Sequence, residues 1–287
     1  MHDVIVVGAG PVGATFALAL ADCDLDVVAL DARAAGETPR GDRALALSHG
    51  ARLILERLGV WRALPAQATT AITAIDVSQA GGFGTLRIDA REHDLPALGY
   101  VVSYRALQAA LDAALARTRI ALRYGARVTG VSSAASCAAI ALEDAGDALT
   151  ARLAVAADGA GERIQGITRE RHDYRQAAVV AKLWMERPHR GVAYERFTPA
   201  GPIALLPEQD HYGLVWTRSP EDARATLELP DDAFIASLRR HFGARVDGYV
   251  RVGERRSFPL VLERARPPVA TRVAAIGNAA QALHPIA

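Results

Sequence analysis

The segment VIVVGAGPVGATFALALA (residues 4–21) decides the fold, because its pattern changes twice within a few residues. Val4 to Val7 is a β-branched run that reads as a short strand, and Ala14 to Ala21 is a run of helix formers. Between them stand Gly8, Gly10 and Gly13 in G-x-G-x-x-G spacing, with Pro11 and Val12 in the last gap. The first glycine permits a sharp turn, the second lets a pyrophosphate approach the backbone, and the third lets helix pack closely on strand. A helix starting there offers unpaired N–H groups and the positive end of its dipole to phosphates. A second strand, Asp26 to Leu30, ends at Asp31, eighteen residues beyond Gly13, with Ala32 next. Asp31 suits the two hydroxyls of an adenosine ribose and repels a 2′-phosphate, so the pattern predicts FAD or NAD in preference to NADP. It does not separate FAD from NAD.

The same run is uncharged and about as long as the shortest membrane span, so an anchor or signal must be weighed. Asp3 stands where a signal peptide carries basic residues, and Gly8, Gly10, Pro11 and Gly13 would break a spanning helix. A strand, a tight turn and a helix start fit the residues better.

The rest of the composition is that of a folded protein. Of 287 residues, 51% are hydrophobic and 23% charged, which excludes a disordered chain. The 33 basic and 32 acidic side chains leave a net charge of +1, giving no electrostatic case for nucleic acid. Cys23 and Cys137 are too few for a disulfide framework and lack metal-site spacing, so a reducing cytoplasm is expected. No metal spacing and no nucleophile constellation appears among the eight histidines and their neighbours. The length allows one large domain or two interleaved ones.

Further along, Ser48 can cap a helix to about Leu58 that buries Leu53, Ile54, Leu55 and Leu58, with Gly59 closing it in left-handed geometry. Arg105 to Arg117 predicts another helix, with Leu107, Ala110, Leu111, Ala114 and Leu115 on one stripe. Ala74 to Ile88 is strand-like around a turn at Gly81, Gly82 and Gly84. Ile120 to Ala157, punctuated by Gly125, Gly130 and Gly146, predicts an antiparallel meander that re-enters the sheet at Leu153 to Ala157. Val179 to Met185, Val192 to Thr198, Ile203 to Leu206 and Tyr212 to Thr217 make the second half β-rich. Asp231 to Phe242 predicts a helix ending near Gly243, and Arg272 to Ile276 one more buried strand. Gly159, Gly161 and Gly166 have the wrong spacing for a second dinucleotide turn, so a nicotinamide donor would bind transiently on a surface shared with the first.

Four segments, VIVVGAGPVGATFALALA, GDRALALSHGARLILERLGVW, VAADGAGERIQ and VAAIGNAAQALHPIA, occur in this order across the chain. Together they resemble the para-hydroxybenzoate-hydroxylase-like flavoprotein monooxygenases, and within them the hydroxylases of ubiquinone biosynthesis. Asn278, Gln281 and His284, with YERFTPAGPIALLP and LVWT, are most similar to the 2-octaprenyl-6-methoxyphenol hydroxylase type. The resemblance implies an α/β fold: a Rossmann-like FAD-binding domain with a β-meander, interleaved with a β-rich substrate domain. The expected segments are 1–70, 100–176 and 265–287 for the first domain, and 71–99 and 177–264 for the second.

Carried over residue by residue, the resemblance puts Gly8, Gly10, Pro11, Val12, Gly13, Asp31 and Ala32 on the adenosine and pyrophosphate of FAD. Arg43 would lie near the flavin's linker and Arg105 on the phosphate side. Asp158 and Gly159 match a motif associated with FAD and the nicotinamide donor, Gly277 and Asn278 the turn at the ribityl chain, and Pro285 the border of the isoalloxazine ring. Taken singly, Arg43 and Arg105 read equally well as surface arginines, His284 as a core histidine and Pro285 as a loop proline. Glu162 and Gln165 depart from the serine and arginine frequent in the family after its aspartate–glycine pair. The family continues past the position of Ala287 with a glycine-rich loop, so a fragment with an incomplete flavin ring site is expected.

For the activity, the resemblance implies hydride transfer from NAD(P)H to FAD and then use of O2 to hydroxylate a prenylated phenol. No catalytic base is identified. Other ubiquinone-biosynthesis proteins and a peripheral contact with the inner membrane are further expected partners, with no transmembrane segment. Two other readings stay open: a flavin hydroxylase of another phenolic substrate, and a non-catalytic flavoprotein scaffold.

Overall fold

The computed structural model describes residues 1–37, 43–143, 148–159, 164–242, 246 and 248–285. Gly146, Gly161, Glu162 and Gly243, on which parts of the sequence reading fell, lie outside the described residues.

The opening segment builds the centre of a parallel sheet. β1 (His2–Val7) pairs in parallel with β2 (Val27–Leu30) on one side and β11 (Leu149–Ala156) on the other. β8 (Ala121–Arg123) and β19 (Val273–Ala275) extend it in parallel, and β18 (Val269–Ala270) closes one edge. β1 and β2 are apolar without alternation because both of their faces are covered. On one face Val4, Val6 and Ala29 meet α1 (Pro11–Ala19) and α3 (Tyr104–Leu115) through Ala14, Ala17, Leu107 and Leu111. On the other, Ile5, Val7, Val28 and Leu30 meet β9 (Val128–Ser133) and β10 (Ala138–Leu142), an antiparallel meander that leads into β11. The expected stripe on α3 is buried throughout, and the Ser103 hydroxyl caps the helix by accepting from the Ala106 N–H at 3.1 Å. The expected meander begins later than Ile120, because β8 joins the parallel sheet at its edge.

A second, three-stranded antiparallel sheet is formed by β3 (Ala44–Ser48), β4 (Thr69–Ile72) and β7 (Gly99–Ser103). α2 (His49–Arg57) is capped by Ser48 and followed by Gly59 at φ +72, as expected. Its burial differs from the expectation: Leu55 is buried, but Leu53 and Ile54 are 41% and 53% exposed. Successive helical residues are rotated by about 100° from one another, so three in a row cannot share one stripe.

The third sheet has nine strands. β5 (Ala74–Gln79) and β6 (Thr85–Asp89) form its edge hairpin, followed across the sheet by β13 (Val192–Phe197), β14 (Ile203–Glu208), β15 (His211–Arg218), β12 (Thr168–Met185), β17 (Arg256–Arg266) and β20 (Gln281–Ala282). β16 (Tyr249–Val252) also pairs with β12. Because side chains alternate along a strand, each strand serves two faces. Val179, Leu183, Ile203, Leu205, Leu214 and Trp216 bury one face under α4 (Pro220–Glu228) and α5 (Asp231–Phe242), where Trp216 meets Phe234 edge-on at 5.8 Å. The opposite face carries Glu195, Ala204, Leu206, Val215 and Thr217 and looks toward β3 and the segment ending at Pro285.

The sequence reading missed α4, although Ser219-Pro220-Glu221-Asp222 carries a helix-start signature: a capping hydroxyl, proline at the first position and acids in the first turn. Ser219 Oγ accepts from the Asp222 N–H at 3.1 Å. Ser219→Ala is therefore expected to lower stability by about 1 kcal/mol, read as a shifted urea midpoint at unchanged slope.

Candidate active site

The site starts where β1 hands over to α1. Gly8 has φ +93, and a Cβ there would lie 2.6 Å from the Cα of Asp158. A Cβ on Gly13 would lie 1.9 Å from the carbonyl oxygen of Gly8. These two glycines let the chain close on itself. Gly10 is different, since a Cβ there meets nothing within 4 Å. α1 then begins with Pro11 and without a side-chain cap, so the first-turn N–H groups have no helical acceptor. The turn opens on a cleft of about 540 Å³ lined by Gly8, Gly10, Asp31, Ala32, Tyr104 and Asp158 among others. Bare amides facing open space, where a side chain would fit but none is present, suit a diphosphate.

The remaining expected residues divide. Gly277, at φ +59, packs against Val12, because a Cβ on it would lie 2.9 Å from Val12 Cγ2. The turn after β19 thus meets the first turn of α1, and Asn278 follows it with its side chain exposed. Gly159 continues the chain from Asp158 at the cleft. Arg43 is exposed and stacks its guanidinium on Tyr104, 4.6 Å from the ring centre, which sets it at the rim. Arg105 is exposed on the first turn of α3 and is not part of the cleft lining. Pro285 lies apart, at a second cavity.

Asp31 does more than face the cleft. It is 6% exposed, and its carboxylate accepts from the Ala9 N–H at 3.1 Å, the Arg33 N–H at 2.8 Å, Arg33 Nε at 3.1 Å and Arg33 Nη2 at 3.0 Å. Arg33 also reaches Asp112 on α3 at 3.3 Å. Burial disfavours the Arg33 charge, but the hydrogen bonds it donates to Asp31 and Asp112 outweigh this and raise its pKa well above the usual arginine value. Gln108 donates to Asp112 at 2.8 Å and to the Ala9 carbonyl at 2.9 Å. Sequence reasoning missed Arg33, Gln108 and Asp112. A polar Gln108 in an otherwise apolar helical stripe was the available signal.

The second cavity, about 120 Å³, lies between the free face of the nine-stranded sheet and the His284–Pro285 segment, with Ala46 of β3 as another wall. The His284 ring meets Tyr174 edge-on at 5.3 Å, and burial pushes its pKa down. Among the described residues, no group of three or more His, Cys, Asp or Glu side chains could hold a metal ion, and no helix is long and apolar enough to cross a membrane.

A glycine cradle at the end of the central strand of a parallel sheet, with a β-walled cavity beyond it, defines a dinucleotide-binding α/β protein carrying an added sheet domain. The chain belongs to the FAD binding domain family, whose model matches residues 1–287. It is 36% identical to ubiquinone hydroxylase UbiL of Rhodospirillum rubrum, over 99% of this chain and 68% of that protein. It is 29% identical to 3-demethoxyubiquinol 3-hydroxylase of Escherichia coli, over 99% of this chain and 74% of that one. Among solved structures, PqsL of Pseudomonas aeruginosa in complex with 2-aminobenzoylacetate superposes with a TM-score of 0.78 at 20% identity, covering 99% of this chain and 80% of that one. p-Nitrophenol 4-monooxygenase PnpA of Pseudomonas putida gives 0.73 at 17%, covering 100% and 74%. These two likenesses show the fold, a flavin-monooxygenase architecture of the para-hydroxybenzoate hydroxylase kind.

Proposed function

We propose that the chain is the catalytic framework of an FAD-dependent monooxygenase that hydroxylates a prenylated phenol in ubiquinone biosynthesis, with NAD(P)H and O2 as co-substrates. The observation that carries this reading is the uncapped start of α1, open in front of Gly10 onto the cleft. UbiL, a ubiquinone hydroxylase by name, supports the substrate class.

FAD, when bound, supplies the transfer of electrons from NAD(P)H and the activation of O2. The chain's own residues bind and shield. Gly10, Val12 and Gly13 offer backbone N–H groups to the diphosphate, with Gly8 and Pro11 shaping the turn around it, and Asp31 with Ala32 holds the adenosine ribose. Arg43 lies near the flavin's linker and Arg105 on the phosphate side, Asp158 and Gly159 serve FAD and the nicotinamide donor, and Gly277 and Asn278 meet the ribityl chain. Pro285 borders the flavin ring. The free face of the nine-stranded sheet, with Ala204, Leu206 and Val215, excludes water and orients the phenol. In this reading 1–70, 100–176 and 265–287 form the flavin domain, and 71–99 and 177–264 the substrate domain. The protein works on the cytoplasmic side, touching the inner membrane peripherally to reach a prenylated substrate and meeting other ubiquinone-biosynthesis proteins there.

Two measurements test it. The purified protein should release FAD on denaturation, and NAD(P)H oxidation should rise when a phenol is added. Introduced into bacteria lacking a ubiquinone hydroxylase, the gene should clear one accumulated quinone precursor, whose identity gives the ring position. A flavin-free protein, or oxidation indifferent to phenols, would sink the proposal.

A further inference from the structure

Resting on that reading, we propose that Glu195 receives the hydroxyl proton of an uncharged phenolic ring seated in the cavity beside Pro285, and turns away rings that carry a carboxylate.

The placement follows from strand register. Glu195 on β13 stands opposite Ala204 on β14, which stands opposite Val215 on β15, so the three form one row across the free face of the sheet. Its chain neighbours point the other way. Tyr194 packs against the core under α5, and Arg196 donates to Ser78 Oγ at 3.1 Å. The Glu195 side chain therefore enters the cavity, in company with Ala46, Pro202, Leu206 and Pro285. No described residue offers its carboxylate a hydrogen bond or an ion pair. A half-buried acid without a protein partner, facing a cavity, is a group that a ligand can complete.

The charge balance of the cavity is equally plain. Among the described residues lining it, Thr217 is the one hydroxyl-bearing side chain and His284 the other titratable one beside Glu195, and none is Lys or Arg. Burial pushes His284 down, so it is uncharged at neutral pH. Burial alone pushes Glu195 up to about 7, which makes it a far better proton acceptor than an ordinary carboxylate. At about 120 Å³, the space is close to the ~150 Å³ of an apolar cavity that takes a benzene ring. A ring fits; its prenyl tail must leave the cavity.

The step balances without a further reagent. The phenol O–H bond breaks, the proton moves to a Glu195 carboxylate oxygen, and the electron pair stays on the phenol oxygen. The resulting phenolate enriches its ring carbons in electron density, as attack by an electrophilic oxygen requires. A ring bearing its own carboxylate would place a second anion beside Glu195 with no cation among the described residues that line the cavity.

The test uses the full-length flavin-loaded protein and two probes, 2-methoxyphenol and 4-hydroxybenzoate, titrated from about pH 6 to about pH 9. Ultraviolet difference spectra report binding and the phenolate form directly, independent of turnover. The wild-type protein should shift the spectrum of bound 2-methoxyphenol toward that of the phenolate through a hydrogen bond from its hydroxyl to the Glu195 carboxylate, and its affinity for 4-hydroxybenzoate should fall about tenfold as pH rises through Glu195 ionisation. Glu195→Gln, with flavin content and circular dichroism unchanged, should hold 2-methoxyphenol neutral and shrink the preference over 4-hydroxybenzoate about tenfold. A variant that keeps the phenolate signal or the preference overturns the proposal. So does a wild-type protein whose 4-hydroxybenzoate affinity is flat with pH, a result that needs no variant. Flavin content and phenol-stimulated NAD(P)H oxidation are scored separately, so a protein that turns over phenols yet ignores Glu195→Gln loses only this assignment.

Discussion

Gly13→Ala is expected to cost about 3 kcal/mol of stability and the flavin with it, whereas Gly10→Ala should keep the fold and lose the flavin alone. The first expectation follows from what the new methyl meets. It would lie 1.9 Å from the Gly8 carbonyl oxygen and 3.0 Å from the Ala157 Cβ. Backbone on a central strand end cannot swing aside as a long side chain can, so α1 must lift from β1 and open the core around Ala14 and Ala17. At Gly10 the backbone has φ −65 and ψ −178, open to any residue, and the methyl would meet nothing within 4 Å. Losing glycine at a helix start costs at most about 1 kcal/mol. The methyl would nonetheless fill the space in which a diphosphate meets the amides. Urea unfolding of both apo-proteins, beside the flavin absorbance of each as purified, separates the two effects. A Gly10→Ala protein with its full complement of flavin would show that the diphosphate sits elsewhere.

The contrast between these glycines also marks what a sequence can reveal. Their spacing, with an apolar run before and helix formers after, is local, and local patterns survive in the sequence; so β1, α1, β2 and the buried stripe of α3 could be read directly. Elements whose partners are distant could not. β3 and β4 are four or five residues long and gain their meaning only by pairing with β7. The first half of β12, from Thr168 to Arg175, is largely polar and exposed, and shows no apolar alternation. Arg33 and Asp112 are 79 residues apart, so nothing in either neighbourhood announces the pair. Glu195 is the sharpest case. In the sequence it is one acid in a strand of alternating character, and only the register across β14 and β15 turns it inward. Even the helix reading at Leu53 and Ile54 failed on geometry, since apolar residues in succession cannot all face one core.

Asp31→Ala is expected to lower the stability of the flavin-free protein by about 2 kcal/mol, before any loss of cofactor binding is counted. Removing one partner of a buried pair ordinarily costs about 3–5 kcal/mol. Here the Arg33 side chain is 19% exposed and retains Asp112 at 3.3 Å, which reduces the penalty. What remains is an Ala9 N–H without its acceptor and a guanidinium with one carboxylate in place of two. If Asp31 served the ribose alone, the apo-protein would be indifferent to the change, so an unaltered urea midpoint would refute the structural role. A double-mutant cycle with Arg33→Ala should show a coupling of about 1 kcal/mol or more, since the groups touch. The same geometry constrains binding. A carboxylate offers about four acceptor sites, and Ala9 and Arg33 already use four. Ribose hydroxyls can therefore gain Asp31 only by displacing part of the Arg33 grip. Arg33→Ala should weaken the empty protein more than it weakens flavin affinity, because the bound state has already surrendered some of those bonds. Parallel measurement of apo stability and flavin dissociation in this variant decides it; an equal loss in both would mean that Arg33 stays on Asp31 when the flavin is bound.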